Sequence, residues 1–520
     1  MANIVLSTFN ARFHHCAVGL RFLAANLGEQ AGAWKILEFV VTDRVLDVAE
    51  KLLAEQPQVI GLGVYIWNRP QTYELVRLLK SLQPELCVVI GGPEVTYASV
   101  DDPLVRAADI LIRGEADLAF AEVCRTVLAG GRPAPVIAAT PPQMAELVLP
   151  YDLYTDADIA HRTLYVESSR GCPYTCQFCL SSIEKGVRVL PLPRVFEALN
   201  ALLSRGVRQF KFLDRTFNLN MARVTAILEF FLERYEEGMF LHFEMVPERL
   251  PDSLLTLLAR FPAHTVQLEV GIQTFDPQVA TRIQRSQDNS SIEANLRALA
   301  QKAQVHLHAD LIAGLPGEGL TSFGAGFDRL EALGVAEIQV GILKLLQGAP
   351  IIIHLEAFEM VFAPEPPYEV LRTKDLSFTE LQRLRRFARY WDLVGNSGNF
   401  RQSAPLLWGD SSPFDGFMAF SDWLFAETGA THNIALMRLS ELVFRYLIEV
   451  RVLAPQDAAE RVLTDYQRSG RNDVPPFLRP HLPNLVAKTR QAPATLPRRQ
   501  ARHAQALAAE PVDESPSGAK

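Results

Sequence analysis

Short apolar runs separated by amphipathic stretches of helix length recur twice along this chain. That alternation constrains the fold more than any other feature. Over residues 1–135 the apolar runs fall at 4–7, 35–40, 59–64, 87–90 and 110–112, and the amphipathic stretches at 18–27, 44–55, 70–82 and 118–129. Strands separated by helices of this length imply a parallel, doubly wound sheet. Ligands of such sheets bind at the carboxyl ends of the strands, where this sequence places "GVYIWNRP", "IGGPEVTY" and "IRGEAD". Gly91 and Gly92, directly after an apolar run, would let backbone approach a ligand closely; two tight turns would account for them equally well.

A Pro-rich connector, "GGRPAPVIAATPPQ", follows. The alternation then returns with six runs, at 164–168, 209–213, 241–245, 266–271, 306–312 and 337–342, with amphipathic stretches such as 192–205 and 221–237 between them. Six βα repeats predict a partial βα barrel, whose chemistry gathers at the C-terminal strand ends. From about 355 to 485 the pattern is mostly helical. The last stretch, "APATLPRRQARHAQALAAEPVDESPSGAK", has little to bury and is expected to be disordered. The divisions expected are 1–140, 141–355, 356–488 and a tail of 489–520, and 520 residues suffice for several cores.

A net charge of −8 offers no long-range basic field for nucleic acid or anionic membrane. No apolar run reaches the length of a membrane span, and "MANIVLSTFN" predicts no signal peptide. Of six cysteines, Cys16, Cys87 and Cys124 are scattered, which suits a reducing cytoplasm better than a disulfide framework.

The other three stand together in "ESSRGCPYTCQFCLSS", as Cys172-x3-Cys176-x2-Cys179, at the end of the first strand of the second set. Thiolates bind soft metals and iron–sulfur clusters. Three in one loop can hold three corners of a cubane and leave the fourth iron open. A structural zinc site would want four ligands, and the nearest histidines, His161 and His242, lie well outside the loop.

With an aromatic, Phe178, before the last cysteine, this spacing resembles the signature of the radical S-adenosylmethionine superfamily. The resemblance implies a [4Fe–4S] cluster on Cys172, Cys176 and Cys179. Its open iron would chelate S-adenosylmethionine, and one electron would cleave the sulfonium to methionine and a 5′-deoxyadenosyl radical. Further segments are similar to that family's strand motifs: "FKFLDRTFN" (Asp214, Asn218), "FEMVPERL" (Glu244), "LEVGIQTF" (Glu269, Gly271, Gln273) and "HADLIAGLPGE" (Asp310, Gly314, Pro316, Gly317). With Phe178, the polar residues among these are the candidates for the S-adenosylmethionine site; a turn-capping carboxylate would explain Glu244 or Asp310 as well.

A parallel-sheet domain ahead of such a barrel resembles the cobalamin-binding arrangement, with "IGGPEVTY" and "LIRGEAD" as the similar segments. The resemblance implies a corrinoid near Gly91, Gly92, Glu94, Gly114 and Glu115. The cobalt-ligating D-x-H-x-x-G loop of the fuller form is missing; "NARFHHCAVGL" offers His14 and His15 in its place, and His15 is the candidate. "STFNARFHHCAVGLRFLAANL", "ILKLLQGAP" and "LVGNSGNF" resemble one subfamily with an uncharacterised helical C-terminal domain of the DUF4080 type.

The expected architecture is therefore a Rossmann-like B12-binding-type sheet, a partial (β/α)6 TIM-like barrel and a helical C-terminal domain. The expected activity is that of a radical S-adenosylmethionine enzyme, cobalamin-dependent, with C-methylation of a small molecule or peptide as the first reading. Rearrangement or oxidation is the alternative. A methylthiotransferase-like action on tRNA and a structural metal scaffold stand behind these. The electron would come from a donor such as flavodoxin or ferredoxin.

Overall fold

The computed structural model describes residues 2–28, 32–468 and 470–482; the predicted tail of 489–520 lies outside them. The first sheet contains β1 (Ile4–Asn10), β2 (Trp34–Val40), β3 (Val59–Gly63), β4 (Cys87–Gly91), β5 (Ile110–Arg113) and β6 (Val136–Ala138). Its order is β2-β1-β3-β4-β5-β6, all parallel. The chain runs outward from β1 to β2, then returns past β1 to β3. This reversal opens a crevice at the carboxyl edge.

Side chains alternate across the sheet with the period of two that strands impose. Val5, Ile60, Leu62, Val88 and Ile90 pack with Val48, Leu52, Leu75 and Leu79 of the helices Val45–Ala54 and Arg69–Leu82. Ile4, Leu6, Val59 and Val89 pack on the other face with Leu20, Ala24, Phe120 and Cys124 of Val18–Ala25 and Ala119–Leu128. The doubly wound expectation holds, with one strand more than predicted: β6, whose three residues sit between prolines in the connector.

The second sheet has six parallel strands in chain order. They are Leu164–Val166, Gln209–Phe212, Phe240–Met245, Val266–Gln273, His306–Ala313 and Glu337–Ile342, the first and last being edges. This is the partial barrel. Phe210, Phe212 and Phe243 face outward onto Phe231 and Phe217, leaving the inner face to polar residues. Helices Phe378–Val394, Pro413–Thr428, Leu436–Glu449 and Pro455–Arg468 form most of the C-terminal region. They join the barrel through packed rings: Phe327 of a barrel helix meets Phe387, Trp391 and Phe414. Asn396, in the "LVGNSGNF" segment, accepts from the Ile338 N–H at 2.9 Å and donates to its carbonyl at 2.8 Å. The edge of the last barrel strand is thereby paired. A small hairpin of Val361–Phe362 and Val370–Arg372 was not foreseen.

Candidate active site between the two sheets

The cysteine loop begins where the first barrel strand ends. Ser169–Arg170 pairs antiparallel with Arg188–Val189, and Cys172 bridges Lys185, so the loop closes on itself. Gly171, at φ +93°, passes so close that a Cβ would overlap the Gly186 carbonyl, a position only glycine tolerates. Asp214 accepts from the Ser168 N–H at 2.8 Å and from the Ser168 and Ser169 hydroxyls at 2.7 and 2.6 Å, tying the loop's stem to the second barrel strand. Gln177 donates its N–H to the Ile283 carbonyl at 2.9 Å and accepts from the Ile351 N–H at 2.8 Å. Phe178 is half-buried and lines a cavity with His308 and Ile312.

The three sulfurs share this loop, but among the described residues no three Cys, His, Asp or Glu side chains converge as ligands of a single ion do. A cubane takes its thiolates on separate irons and does not ask for such convergence. Burial pushes the Cys176 thiol up, while the Arg285 guanidinium 3.7 Å away favours its thiolate. The donor set thus fits a cluster with three protein ligands.

Inside the barrel, alternate strand residues carry charge toward one another. His242 lies 2.8 Å and Lys211 3.6 Å from Glu269. Burial works against the Glu269 charge, but His242, Lys211 and His308 override it and hold the carboxyl down at about 2. Glu244 lies 3.9 Å from Arg215, and burial pushes it up to about 7. His308 lies 3.3 Å from Asp310 without hydrogen-bond alignment, and 3.6 Å from Glu337. Gln273 stands at a bulge with φ +71°. Its Oε1 is buried without a hydrogen-bond partner. Buried polar atoms are rarely left so, and this one fits a polar cosubstrate entering the barrel.

Not all expected residues face that space. Asp214 is fully buried and occupied by the loop stem. Asn218 donates to the Val246 and Arg249 carbonyls at 2.8 and 2.7 Å and accepts from the Val246 N–H at 2.9 Å. Both brace loops and do not reach the mouth. Sequence reading missed Lys211, His242, His308 and Glu337. Their signal was polar residues at alternate positions in otherwise apolar strands.

At the carboxyl edge of the first sheet lies a cleft of about 300 Å³ lined by Gly61, Gly63, Gly91, Gly92 and Gly114, with Glu167, Arg170 and Leu213 of the barrel closing one side. Gly92, at φ +116°, lies so near Val64 that a Cβ would stand 2.5 Å from its carbonyl. The glycine floor fits close approach of a flat ligand. A whole cobalamin is far larger, so this cleft would accommodate only one end of it. Glu94, Glu115 and His15 do not line it. Glu94 accepts from Tyr368 at 2.6 Å and pairs with Arg69. His15 Nδ1 meets the Tyr165 hydroxyl at 2.6 Å, and burial, then His14, pulls its pKa down to about 4.

Arg170 is the joint between the two sheets. It pairs with Glu167 at 2.8 Å, Glu115 at 3.0 Å and Asp117 at 2.8 Å, and its guanidinium lies 4.7 Å from the Phe22 ring centre. Arg188 also pairs with Glu115. Burial pushes Glu167 up to about 7 although Arg170 opposes it.

Residues 4–124 match the B12 binding domain, 166–325 the radical SAM superfamily, and 356–509 a protein family of unknown function, DUF4080. Among curated relatives, an uncharacterized methyltransferase of Pyrococcus horikoshii is 26% identical over 58% of this chain and 70% of its own length. The cobalamin-dependent radical SAM methyltransferase TokK of Streptomyces tokunonensis is 27% identical over 57% of this chain; the match spans only 48% of that longer protein. Among solved structures, the radical S-adenosylmethionine methyltransferase TsrM of Kitasatospora setae, with cobalamin and [4Fe–4S] cluster bound, superposes with a TM-score of 0.57 at 16% identity, covering 82% of this chain and 99% of that one.

Proposed function

Because the chain is a radical S-adenosylmethionine protein with a B12-binding domain ahead of its barrel and a DUF4080 region after it, we propose that it methylates an unactivated carbon of its substrate. The observation that carries this reading is the shared wall. Glu167, Arg170 and Leu213 belong to the barrel and line the glycine cleft of the first sheet, and the cysteine loop starts at the next residue, Gly171. A corrinoid end in that cleft and a cluster on that loop would face a common space.

When bound, the cluster with S-adenosylmethionine supplies a hydrogen-abstracting 5′-deoxyadenosyl radical, and the corrinoid supplies a transferable methyl group. The chain's own residues do the positioning. Cys172, Cys176 and Cys179 would hold the cluster, and Asp214 holds their loop in place. Gln273, Asp310 and Glu269 would bind the polar groups of S-adenosylmethionine, with Phe178 against its apolar surface. Gly91, Gly92 and Gly114 would admit the corrinoid. Glu244 sits near its neutralisation point and can hold or release a proton at the mouth.

Cys16, Cys87 and Cys124 remain free thiols, which supports a reducing compartment such as the cytoplasm; a reduced flavodoxin or ferredoxin is then the fitting electron donor. No described helix is long and apolar enough to cross a membrane. The test is anaerobic reconstitution with iron, sulfide, hydroxocobalamin, S-adenosylmethionine and reductant, read by mass spectrometry. 5′-Deoxyadenosine together with S-adenosylhomocysteine supports methylation. 5′-Deoxyadenosine alone would move the assignment to rearrangement or oxidation.

A further inference from the structure

A cavity of about 840 Å³ opens between the last two barrel strands and the helix Phe378–Val394. Its volume suits a small molecule. Phe178, His308, Ile312 and Gln339 are among its lining, and through Phe178 it borders the cysteine loop. Its outer wall carries Lys344, Arg385, Arg386 and Arg389 against two carboxylates, Glu369 and Asp392. This excess of positive charge stands in a chain whose net charge is −8.

The two carboxylates already have partners. Arg389 pairs with Asp392 at 3.1 Å and Arg385 with Glu369 at 3.5 Å. Arg386 and Lys344 form no ion pair among the described residues, and Arg386 Nε is buried without a hydrogen-bond partner. The Arg386 guanidinium lies 4.5 Å from the Phe425 ring centre, which fixes it at the wall. A guanidinium without a carboxylate partner, on the wall of the same cavity as a second such cation, is suited to bind an oxyanion.

Resting on the radical-enzyme reading, we propose that this cavity receives the substrate, and that the substrate is a small molecule with an acidic head, carboxylate or phosphate, held by Arg386 and Lys344. The remainder of the molecule would then extend along Gln339 and His308 toward Phe178.

The full-length chain is titrated by calorimetry with citrate and, separately, inorganic pyrophosphate. The expected result is saturable binding of at least one probe, weakened tenfold or more in the Arg386→Gln/Lys344→Gln double variant. Arg438→Gln, which removes an exposed arginine paired with Glu441 on another helix, should bind as the native chain does. Lys344→Met alone, tested in case the double variant misfolds, should weaken binding severalfold. No saturable binding, or equal loss in Arg438→Gln, would overturn the proposal. So would an equal loss of S-adenosylmethionine binding in the double variant, because the wall would then serve the cosubstrate's carboxylate. The citrate and pyrophosphate titrations need no cluster; S-adenosylmethionine binding is compared in the reconstituted protein. Anion binding without 5′-deoxyadenosine formation would sink the radical reading alone, and the reverse would sink only the acidic-substrate inference.

Discussion

Replacing Arg170 with methionine tests how the two sheets are held in register. The native guanidinium is shared by Glu167, Glu115 and Asp117, all largely buried. Removing a buried cation while its carboxylates remain costs about 3–5 kcal/mol. Unfolding entropy is roughly 2 cal/mol/K per residue, so if the described residues melt as one unit, the midpoint falls by about 4 °C. It falls by roughly three times that if the first sheet and its helices release alone. The loss depends on pH. Glu167 titrates at about 7 in the folded chain, above its ordinary value of 4.5. A carboxyl raised in this way favours the folded state below pH 4.5 and loses that contribution as pH rises toward 7. Without Arg170, which lowers it, Glu167 rises further, so the variant's deficit shrinks in acid and widens above neutrality. The assay is differential scanning calorimetry of native and variant chains between pH 5.5 and 8.5. A midpoint shift below 1 °C, or a deficit that grows toward acid, would refute the reasoning.

Gly171→Ala should disorder the cysteine loop, because its Cβ overlaps the Gly186 carbonyl at positive φ; faster proteolysis between residues 171 and 187, with the rest of the chain protected, would show it. Glu269→Gln should lower stability at pH 7 by about 3 kcal/mol, from a carboxyl held at about 2 against 4.5 unfolded. That native contribution is present above pH 4.5 and lost as pH falls toward 2, so native and variant urea midpoints should converge in acid. Phe212→Ala, in a fully buried ring cluster, should cost about 3–5 kcal/mol in the same urea assay.

Much of this was legible in the sequence because strands and helices announce themselves by period. The apolar runs of β1 and β3–β5 are buried on both faces, and the barrel strands recur at βα spacing. β6 escaped notice because three residues between prolines carry no period. The fourth barrel strand runs to Gln273, beyond its apolar stretch, because a bulge at Gly271 lets it continue. The cysteine loop was legible because metal ligation requires fixed spacing. Asp214 and Asn218 lie within matching segments, yet pairing with loop backbone and hydroxyls, which no local pattern reveals, turned them away from the mouth. Arg170 joins the sheets through Glu115 and Asp117, 55 and 53 residues away, and Arg386 acts through a cavity wall. Such placements follow from tertiary packing alone.

The central claim is that Cys172, Cys176 and Cys179 hold a cluster with one iron open to S-adenosylmethionine. Electron paramagnetic resonance of the reconstituted, reduced protein, with and without S-adenosylmethionine, tests it most directly. The account predicts a cluster signal that changes when S-adenosylmethionine is added and vanishes in the Cys172→Ala/Cys176→Ala/Cys179→Ala variant. A signal indifferent to S-adenosylmethionine, or one that survives loss of the three thiols, would contradict it.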